Sequence, residues 1–209
     1  WYPGAITTAG RDSGTFVSGY SKKGVLHTTE GSSISGAVGA YRQHNSWPHF
    51  TVGQDGVVHQ HLSIGRAARA LQNLSGGVET NRGGAIQIEV VGFASKPNWP
   101  AAQINSLKKL MRWIEAQTGI RQYGPQFSGE GEYGQKNRLE FSHNYWKTFN
   151  GWCGHQHVTE NSHWDPGAIN LSVLFSAASP EPIPTPGFTV PTSYYTEVPQ
   201  VPFTVDRAQ

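Results

Sequence analysis

Two short segments of the sequence carry side chains that could bind a metal ion. The segment from Gly154 to Gly167 contains three histidines and an aspartate within fourteen residues, and an apolar run near the start of the chain ends at His27. A catalytic zinc ion takes three protein ligands, usually from distant parts of a chain, and leaves a fourth position open. His27, His155 and Asp165 supply such a set, so the sequence predicts a zinc-dependent hydrolase.

The predicted ligands do not follow the pattern of a helical metalloprotease. No His-Glu-x-x-His motif is present, so a site carried on loops is required. Two imidazoles and one carboxylate leave a centre of net positive charge, which lowers the pKa of bound water and polarises a carbonyl group. Taken alone, Asp165 before Pro166 and Gly167 could be an ordinary turn or helix-capping residue. Cys153 could be a ligand or a buried thiol, and the neighbouring Trp152 favours the buried thiol.

Hydrophobic patterns predict the elements that position these residues. Short β-branched or alternating runs predict strands, and apolar residues at three- and four-residue steps predict helices. In chain order the sequence predicts a strand at 24–29, a helix at about 33–44, a hairpin of His49–Val52 and Val57–His61 around Asp55-Gly56, a strand at 85–92, a helix from Pro100 to Gly119 and a closing helix within 168–175. Residues 121–150 lack clean periodicity and are predicted as a long loop.

The composition is that of one globular α/β domain with a tail. The 209 residues are 36% hydrophobic, and the formal net charge of +2 is too small to indicate binding to nucleic acid. No run of eighteen apolar residues occurs, so insertion into a membrane is not expected. The single cysteine excludes an internal disulfide framework. The first residues show no secretory signal, so no export route can be read from this end.

Changes in composition divide the chain into three parts. Residues 1–22 are rich in Gly, Ser and Thr and are predicted as a loop-rich lead-in segment, and residues 23–178 form the predicted catalytic domain. Seven prolines within residues 179–209 are incompatible with a helix or a central strand. This end is predicted as a linker or as an extended arm that packs on the domain.

Four blocks of the sequence, in this order, resemble the type 2 N-acetylmuramoyl-L-alanine amidases. They are the Leu-His-Thr-Thr-Glu-Gly segment after the first strand, the hairpin from Pro48 to Val58, the strand 85–89 and the segment from Gly154 to Gly167. The resemblance spans residues 22–178. That family shares its fold with the peptidoglycan recognition proteins and includes many phage endolysins. The resemblance therefore implies a central mixed β-sheet flanked by helices, with a zinc site carried on loops.

The resemblance also implies roles for five residues. His27, His155 and Asp165 match the family's zinc ligands. Glu89 lies at the strand position where relatives that use aspartate as a ligand place a carboxylate that handles the proton. His163 stands where relatives usually have a lysine that stabilises the oxyanion, and this departure bears on the pH dependence of the reaction.

The implied reaction is zinc-dependent hydrolysis of the amide bond between N-acetylmuramic acid and L-alanine in bacterial peptidoglycan, which lyses the cell wall. No organic cofactor is implied. We expect a monomer that is made in the bacterial cytoplasm and acts on the cell wall, as the catalytic domain of a phage endolysin would. Two alternatives stay open: a non-catalytic peptidoglycan-binding domain of the same fold, and a peptidase that cuts within the stem peptide. Asp165 favours the enzyme, because non-catalytic relatives typically lose the third ligand.

The remaining histidines and tryptophans are given no catalytic role. The sequence predicts satisfied surface or hairpin side chains for His44, His59, His61, His143 and His157. His49 could orient a group near the metal from its strand. Five tryptophans could stack on glycan, although core packing is the more common role of such residues. They are Trp47, Trp99, Trp146, Trp152 and Trp164.

Overall fold

The centre of the fold is a mixed sheet built around two buried six-residue strands. The computed structural model describes residues 1–129 and 139–177. Its strands there are β1 (Ile6–Thr7), β2 (Lys23–Thr28), β3 (Phe50–Val52), β4 (Val58–Gln60), β5 (Ala85–Val90) and β6 (Trp152–Gly154). Every residue of β2 and of β5 is buried. Burial on both faces is typical of a central parallel strand.

The strands lie in the order β1-β4-β3-β5-β2-β6. β2 pairs in parallel with β5 on one side and with β6 on the other, and β3 also runs parallel to β5. β3 and β4 form the predicted antiparallel hairpin, in which Gly56 has a φ of +85°. Because β2, β5 and β6 run in the same direction, their carboxyl ends meet at one edge of the sheet. Side chains at these ends are therefore brought together.

Helices cover both faces of the sheet. They are α1 (Ile34–His44), α2 (Ala101–Thr118), α3 (His143–Thr148) and α4 (Leu171–Phe175). One core packs α2 and α4 against one face, with Leu26 and Ile88 among its buried residues. A second core packs Trp146 of α3 against Val25, which points to the opposite face. A third cluster packs α1 against Trp47. The predicted α/β class, a central mixed sheet flanked by helices, is confirmed.

The long elements follow the predictions, and the short ones depart from them. The Ser33 hydroxyl caps α1, and α2 ends at Gly119, whose φ is +73°. α3 lies inside the stretch 121–150 that was predicted as a long loop, and β6 begins just after that stretch. Six and three residues are too few for a periodic pattern to show. The lead-in segment contains the short edge strand β1, and the closing helix begins only at Leu171.

Two parts of the predicted organisation lie outside the described residues. The proline-rich arm at 179–209 is one, and part of the loop at 121–150 is the other. The three-part division of the chain therefore stays a prediction. Within the described ranges, no helix combines the length and the apolar character that a membrane span needs.

Two buried histidines in the β3–β4 region are expected to make stability depend on pH. His49 Nε2 donates to Arg66 O, and His61 Nδ1 donates to Thr8 O. Burial lowers the pKa of each from 6.5 to about 4. Below pH 6.5 the unfolded chain therefore binds protons that the folded protein excludes. The free energy of unfolding should be highest above pH 6.5 and fall toward pH 4 by about 1.4 kcal/mol per pH unit for each histidine.

Urea unfolding at two pH values, one on each side of this range, measures the effect. The double variant His49→Asn, His61→Asn should lose stability less steeply, because its amides cannot bind the extra protons. Equal stability of the unmodified protein at both pH values would contradict the expectation.

Gly24 is required by the close approach of Trp152. A Cβ atom at this position would overlap the buried Trp152 indole ring, whose Nε1 donates to Glu115. We expect Gly24→Ala to lower the free energy of unfolding by about 2–3 kcal/mol, because overpacking a rigid core displaces the backbone. Gly39→Ala is the matched control, since Gly39 lies in α1 with open space around it and alanine is the better helix former. Similar unfolding curves for the two variants would refute the prediction.

Candidate metal centre

Two histidines meet where β2 and β6 end. His27 lies near the end of β2, and His155 follows β6 directly at the start of a 3-10 turn, His155–His157. The parallel pairing of the two strands places both side chains at the same edge of the sheet. Their Nδ1 atoms lie 3.1 Å apart, and both side chains are buried. Two imidazole nitrogens therefore face one buried point.

Asp165 joins the two histidines from a loop that Gln156 holds in place. The Gln156 backbone N–H donates to Asp165 O, and its side-chain amide donates to two further carbonyl oxygens of the same loop. The Asp165 carboxylate lies 3.2 Å from His155 Nδ1 and 3.4 Å from His27 Nδ1. A cis peptide bond follows, to Pro166. The carboxylate therefore faces the same point as the two imidazoles.

The three side chains offer a donor set suited to zinc. One ligand atom from each of His27, His155 and Asp165 lies within 4.8 Å of the others, and all three residues are buried. Imidazole nitrogen and carboxylate oxygen are common zinc ligands, and three protein ligands leave a fourth position open. The predicted set, drawn from distant parts of the chain, is thus found in one place. Its role in binding a metal stays a proposal.

The ionised form of Asp165 and the neutral form of His27 are favoured in this centre. Burial alone would raise the pKa of Asp165. The charge of His155, and hydrogen bonds with His155, His163 and His27, outweigh burial and hold that pKa well below its usual range. Burial lowers the pKa of His27 to about 4, against the opposing effect of Asp165. Ionised carboxylates and neutral imidazoles are the forms that coordinate metal ions.

Glu89 stands beside His27 on the neighbouring strand. The two residues are paired across β5 and β2. Glu89 is 8% exposed, and its Oε2 has no hydrogen-bond partner among the described residues. Burial, and then the charges of Asp165 and Glu30, raise its pKa well above its usual value. Buried carboxylates with such perturbed pKa values are found disproportionately at functional sites.

An open cleft connects these side chains to solvent. Its volume is about 480 Å³, and its lining includes His27, Glu89, His155, His163, Trp164 and Asp165. The His163 ring stacks on the His155 ring with centroids 3.7 Å apart, and its Nδ1 lies 3.1 Å from Asp165 Oδ1. The His163 side chain is 41% exposed, far more than the three predicted ligands. All five predicted site residues therefore line one cleft.

Comparison with known proteins identifies the family to which the chain belongs. The sequence profile of the N-acetylmuramoyl-L-alanine amidases matches residues 20–168. The chain belongs to this amidase family. The matched range contains every residue of the centre, and the resemblance carried by the four sequence blocks is confirmed. A search of the curated proteins found no match for this amidase.

Solved structures support the fold of the amidase at low sequence identity. The selenomethionine derivative of AmpD has a TM-score of 0.54 and 13% identity, with 83% of this chain and 94% of that chain covered. The hydrolase AmiA of Staphylococcus aureus, solved in complex with its ligand, has a TM-score of 0.52 and 13% identity, with 79% of this chain and 74% of that chain covered. The Ph2119 endolysin of a Thermus scotoductus MAT2119 bacteriophage has a TM-score of 0.48 and 18% identity, with 78% and 86% covered. The first two show that the fold is shared.

Three histidines of the amidase lie deeper than the sequence indicates. His157 is buried rather than at the surface, so the surface prediction is wrong for it. His61, predicted as a surface or hairpin side chain, is buried directly after the hairpin strand β4. The reason is that backbone carbonyl groups from distant segments accept hydrogen bonds from their rings. His49 donates to Arg66 O and accepts from the Gln87 N–H. Its ring therefore joins backbone segments at the β3 side of the sheet.

The cysteine and the tryptophans of the amidase behave mainly as core residues. Cys153 is buried, and burial raises the pKa of its thiol to about 12, so it acts as a small apolar side chain. Trp164 lines the cleft as well as being buried. His44 and His143 are exposed, as predicted. All five tryptophans considered for glycan stacking are buried: Trp47, Trp99, Trp146, Trp152 and Trp164.

Sequence reasoning misses two amide side chains of this site. Gln156 holds the loop that carries Asp165, and Asn161 Oδ1 lies 3.0 Å from His155 Nε2. Both residues lie within the fourteen-residue segment that contains two of the predicted ligands. Side chains that orient metal ligands are commonly polar groups near those ligands. A polar amide between two ligands is therefore the signal that could have indicated them.

Proposed function

We propose that this chain is a zinc-dependent amidase that hydrolyses the bond between N-acetylmuramic acid and L-alanine in peptidoglycan and thereby lyses bacterial cell walls. One observation carries the proposal: His27, His155 and Asp165 are buried together beside Glu89 in an open cleft. Zn²⁺ is the proposed ion because it suits this donor set. The choice of substrate rests on the amidase family.

We assign the proton transfer of this reaction to Glu89. A bound zinc ion would polarise the substrate carbonyl and favour ionisation of a water molecule. Glu89 accepts the proton of the attacking water and then delivers it to the leaving nitrogen of L-alanine. Its place beside His27 in the paired strands holds its carboxylate against the cleft.

We assign stabilisation of the developing oxyanion to His163. Stacking on His155 and the bond from Nδ1 to Asp165 orient the ring, and Nε2 is then the nitrogen that can reach the substrate. Because Nδ1 donates its hydrogen to the Asp165 carboxylate, Nε2 donates a hydrogen bond to the oxyanion of the tetrahedral intermediate when the ring is protonated on both nitrogens.

A recognition domain without catalysis is the competing function. A domain that only binds needs neither a third ligand such as Asp165 nor a buried carboxylate such as Glu89, so both favour catalysis. A peptidase that cuts within the stem peptide would use the same centre on a different bond. We further propose that the chain acts as a monomer on the cell wall, as the catalytic domain of a phage endolysin would.

Digestion of purified peptidoglycan distinguishes these functions. Zinc-loaded and chelator-treated protein are compared, and the soluble fragments are identified by mass spectrometry. We expect free stem peptides that begin with L-alanine, released only by the zinc-loaded protein. New termini inside the stem would indicate the peptidase. Binding to peptidoglycan without release of fragments would leave the recognition domain.

His163→Ala tests the role given to His163. We expect kcat to fall about 10²- to 10³-fold, the usual effect of removing one oxyanion donor. Zinc affinity, measured by competition with a chelator, should fall by no more than about 10- to 100-fold, because His163 supports Asp165 without being a proposed ligand, and kcat is therefore compared at saturating zinc. His163→Lys should retain activity, since lysine is the family's usual residue here. Unchanged kcat in the alanine variant would reduce His163 to a packing role.

A further inference from the structure

Asn161 connects a proposed metal ligand to the wall of the cleft. It is 2% exposed, and its Oδ1 lies 3.0 Å from His155 Nε2. The same Oδ1 accepts from the Gln72 N–H at 2.8 Å, and Nδ2 donates to Gln72 O at 3.0 Å and to Thr159 O at 2.9 Å. Gln72 lines the cleft. One buried amide therefore joins the His155 ring to the backbone of Gln72 in the cleft wall.

These backbone groups decide which way the Asn161 amide faces. The carbonyl oxygens of Gln72 and Thr159 can only accept hydrogen bonds, so the NH₂ group must face them. Its oxygen then faces the Gln72 N–H and His155 Nε2. Reversing the amide would bring its oxygen against two carbonyl oxygens and its NH₂ group against an N–H. The orientation is thus set by chemistry.

The fixed amide in turn decides the tautomer of His155. An amide oxygen can only accept, so His155 Nε2 must carry a hydrogen. In the neutral ring, Nδ1 is then the nitrogen with the free lone pair. That atom faces Asp165 Oδ1 at 3.2 Å and His27 Nδ1 at 3.1 Å. By contrast, His27 Nε2 has no hydrogen-bond partner among the described residues.

We propose that Asn161 is a positioning residue that holds His155 in the Nε2–H tautomer and presents its Nδ1 to the metal. This inference rests on the proposed zinc function. His155 is then the ligand whose orientation is set before the metal arrives, and the cleft wall at Gln72 is fixed to it. Polar partners of this kind raise metal affinity by orienting the ligand ring.

Asn81, which bonds to Leu71 next to Gln72, supplies a matched control for replacement of Asn161. Its side chain is also buried and makes the same two-point bridge, with Oδ1 accepting from the Leu71 N–H and Nδ2 donating to Leu71 O. Its bonds are to Leu71 and to the Gln87 side chain. Replacing Asn81 therefore disturbs the same cleft-wall segment and leaves the bond between Asn161 and His155 in place.

Zinc affinity of the full chain, measured by competition with a chelator, tests the proposal. Asn161→Leu should bind zinc about 10- to 100-fold more weakly. Asn161→Asp keeps an acceptor for Nε2–H but sets its second oxygen against the carbonyl oxygens of Gln72 and Thr159, so it should bind zinc more tightly than the leucine variant and less tightly than the unmodified protein. Asn81→Leu should bind normally, although both leucine variants should melt at lower temperature. An Asn161→Leu protein with normal zinc affinity would overturn the proposal, as would an aspartate variant that is weakened as much as the leucine variant.

Nitrogen-15 NMR of the zinc-loaded unmodified protein gives a second test that does not depend on folding of a variant. We expect a slowly exchanging hydrogen on His155 Nε2. A hydrogen on Nδ1 instead would refute the assigned tautomer. Failure of the unmodified protein to bind zinc at all would refute the proposed function itself, so the two failures are distinguishable.

Discussion

Replacing Asp165 with alanine is expected to remove both zinc binding and amidase activity. The change leaves two of three ligands, and it removes a carboxylate that lies 3.2 Å from His155 Nδ1 and 3.4 Å from His27 Nδ1. Loss of a group that only supports a ligand typically weakens metal affinity 10- to 100-fold, so loss of a ligand should exceed about 100-fold. Competition with a chelator and mass spectrometry of digested peptidoglycan measure the two losses.

Asp165→Asn separates the charge of this residue from its shape. The backbone bond from Gln156 that holds the loop is independent of the side chain, so this variant should fold. A neutral amide binds zinc less well than a carboxylate does, and we expect an intermediate affinity. An Asp165→Ala protein that retained zinc and full activity would remove Asp165 from the ligand set.

The second large effect is expected for Glu89→Gln. Glutamine keeps the size of the side chain but cannot accept the proton of the attacking water, so kcat should fall about 10²- to 10⁴-fold. Stability should not decrease, because the buried Glu89 oxygen has no partner to lose and burial disfavours its charge. Release of stem peptides over time, together with zinc affinity and thermal unfolding, measures all three properties.

Glu115→Gln is the control for this substitution. Glu115 is a partly buried carboxylate on α2 that accepts from Trp152 Nε1, and burial is the main cause of its raised pKa. We expect this variant to keep its kcat, since Glu115 is not among the residues that line the cleft. If Glu89→Gln lost zinc as completely as it lost activity, Glu89 would be a structural support of the centre and not its proton carrier.

The parts of the molecule that could be predicted are those with local signals. The apolar runs that end at His27 and pass through Glu89 predicted β2 and β5, and repeated apolar steps predicted α2. The fourteen-residue segment indicated His155 and Asp165 because it holds three histidines and an aspartate close together. Each of these signals lies within a few residues of the feature that it predicts.

The parts that could not be predicted depend on contacts between distant segments. Asn161 meets Gln72 across 89 residues of sequence, and His61 finds its acceptor 53 residues away at Thr8. Nothing near either residue in the sequence indicates these partners. α3 and β6 were not predicted for a different reason. The position of α3 is set by packing of Trp146 and that of β6 by pairing with β2, and neither is set by local periodicity.

The pairing of His27 with Glu89 also restricts how the domain can change in length. Successive residues of a strand point to opposite faces, so one residue inserted into β2 before His27 would turn its imidazole toward the core beneath α2. These two strands can therefore vary by substitution but not by insertion or deletion. Gaps among related chains should fall in the connections, such as 91–100 between β5 and α2. An alignment that opens a gap within β2 or β5 would pair the wrong residues at the centre.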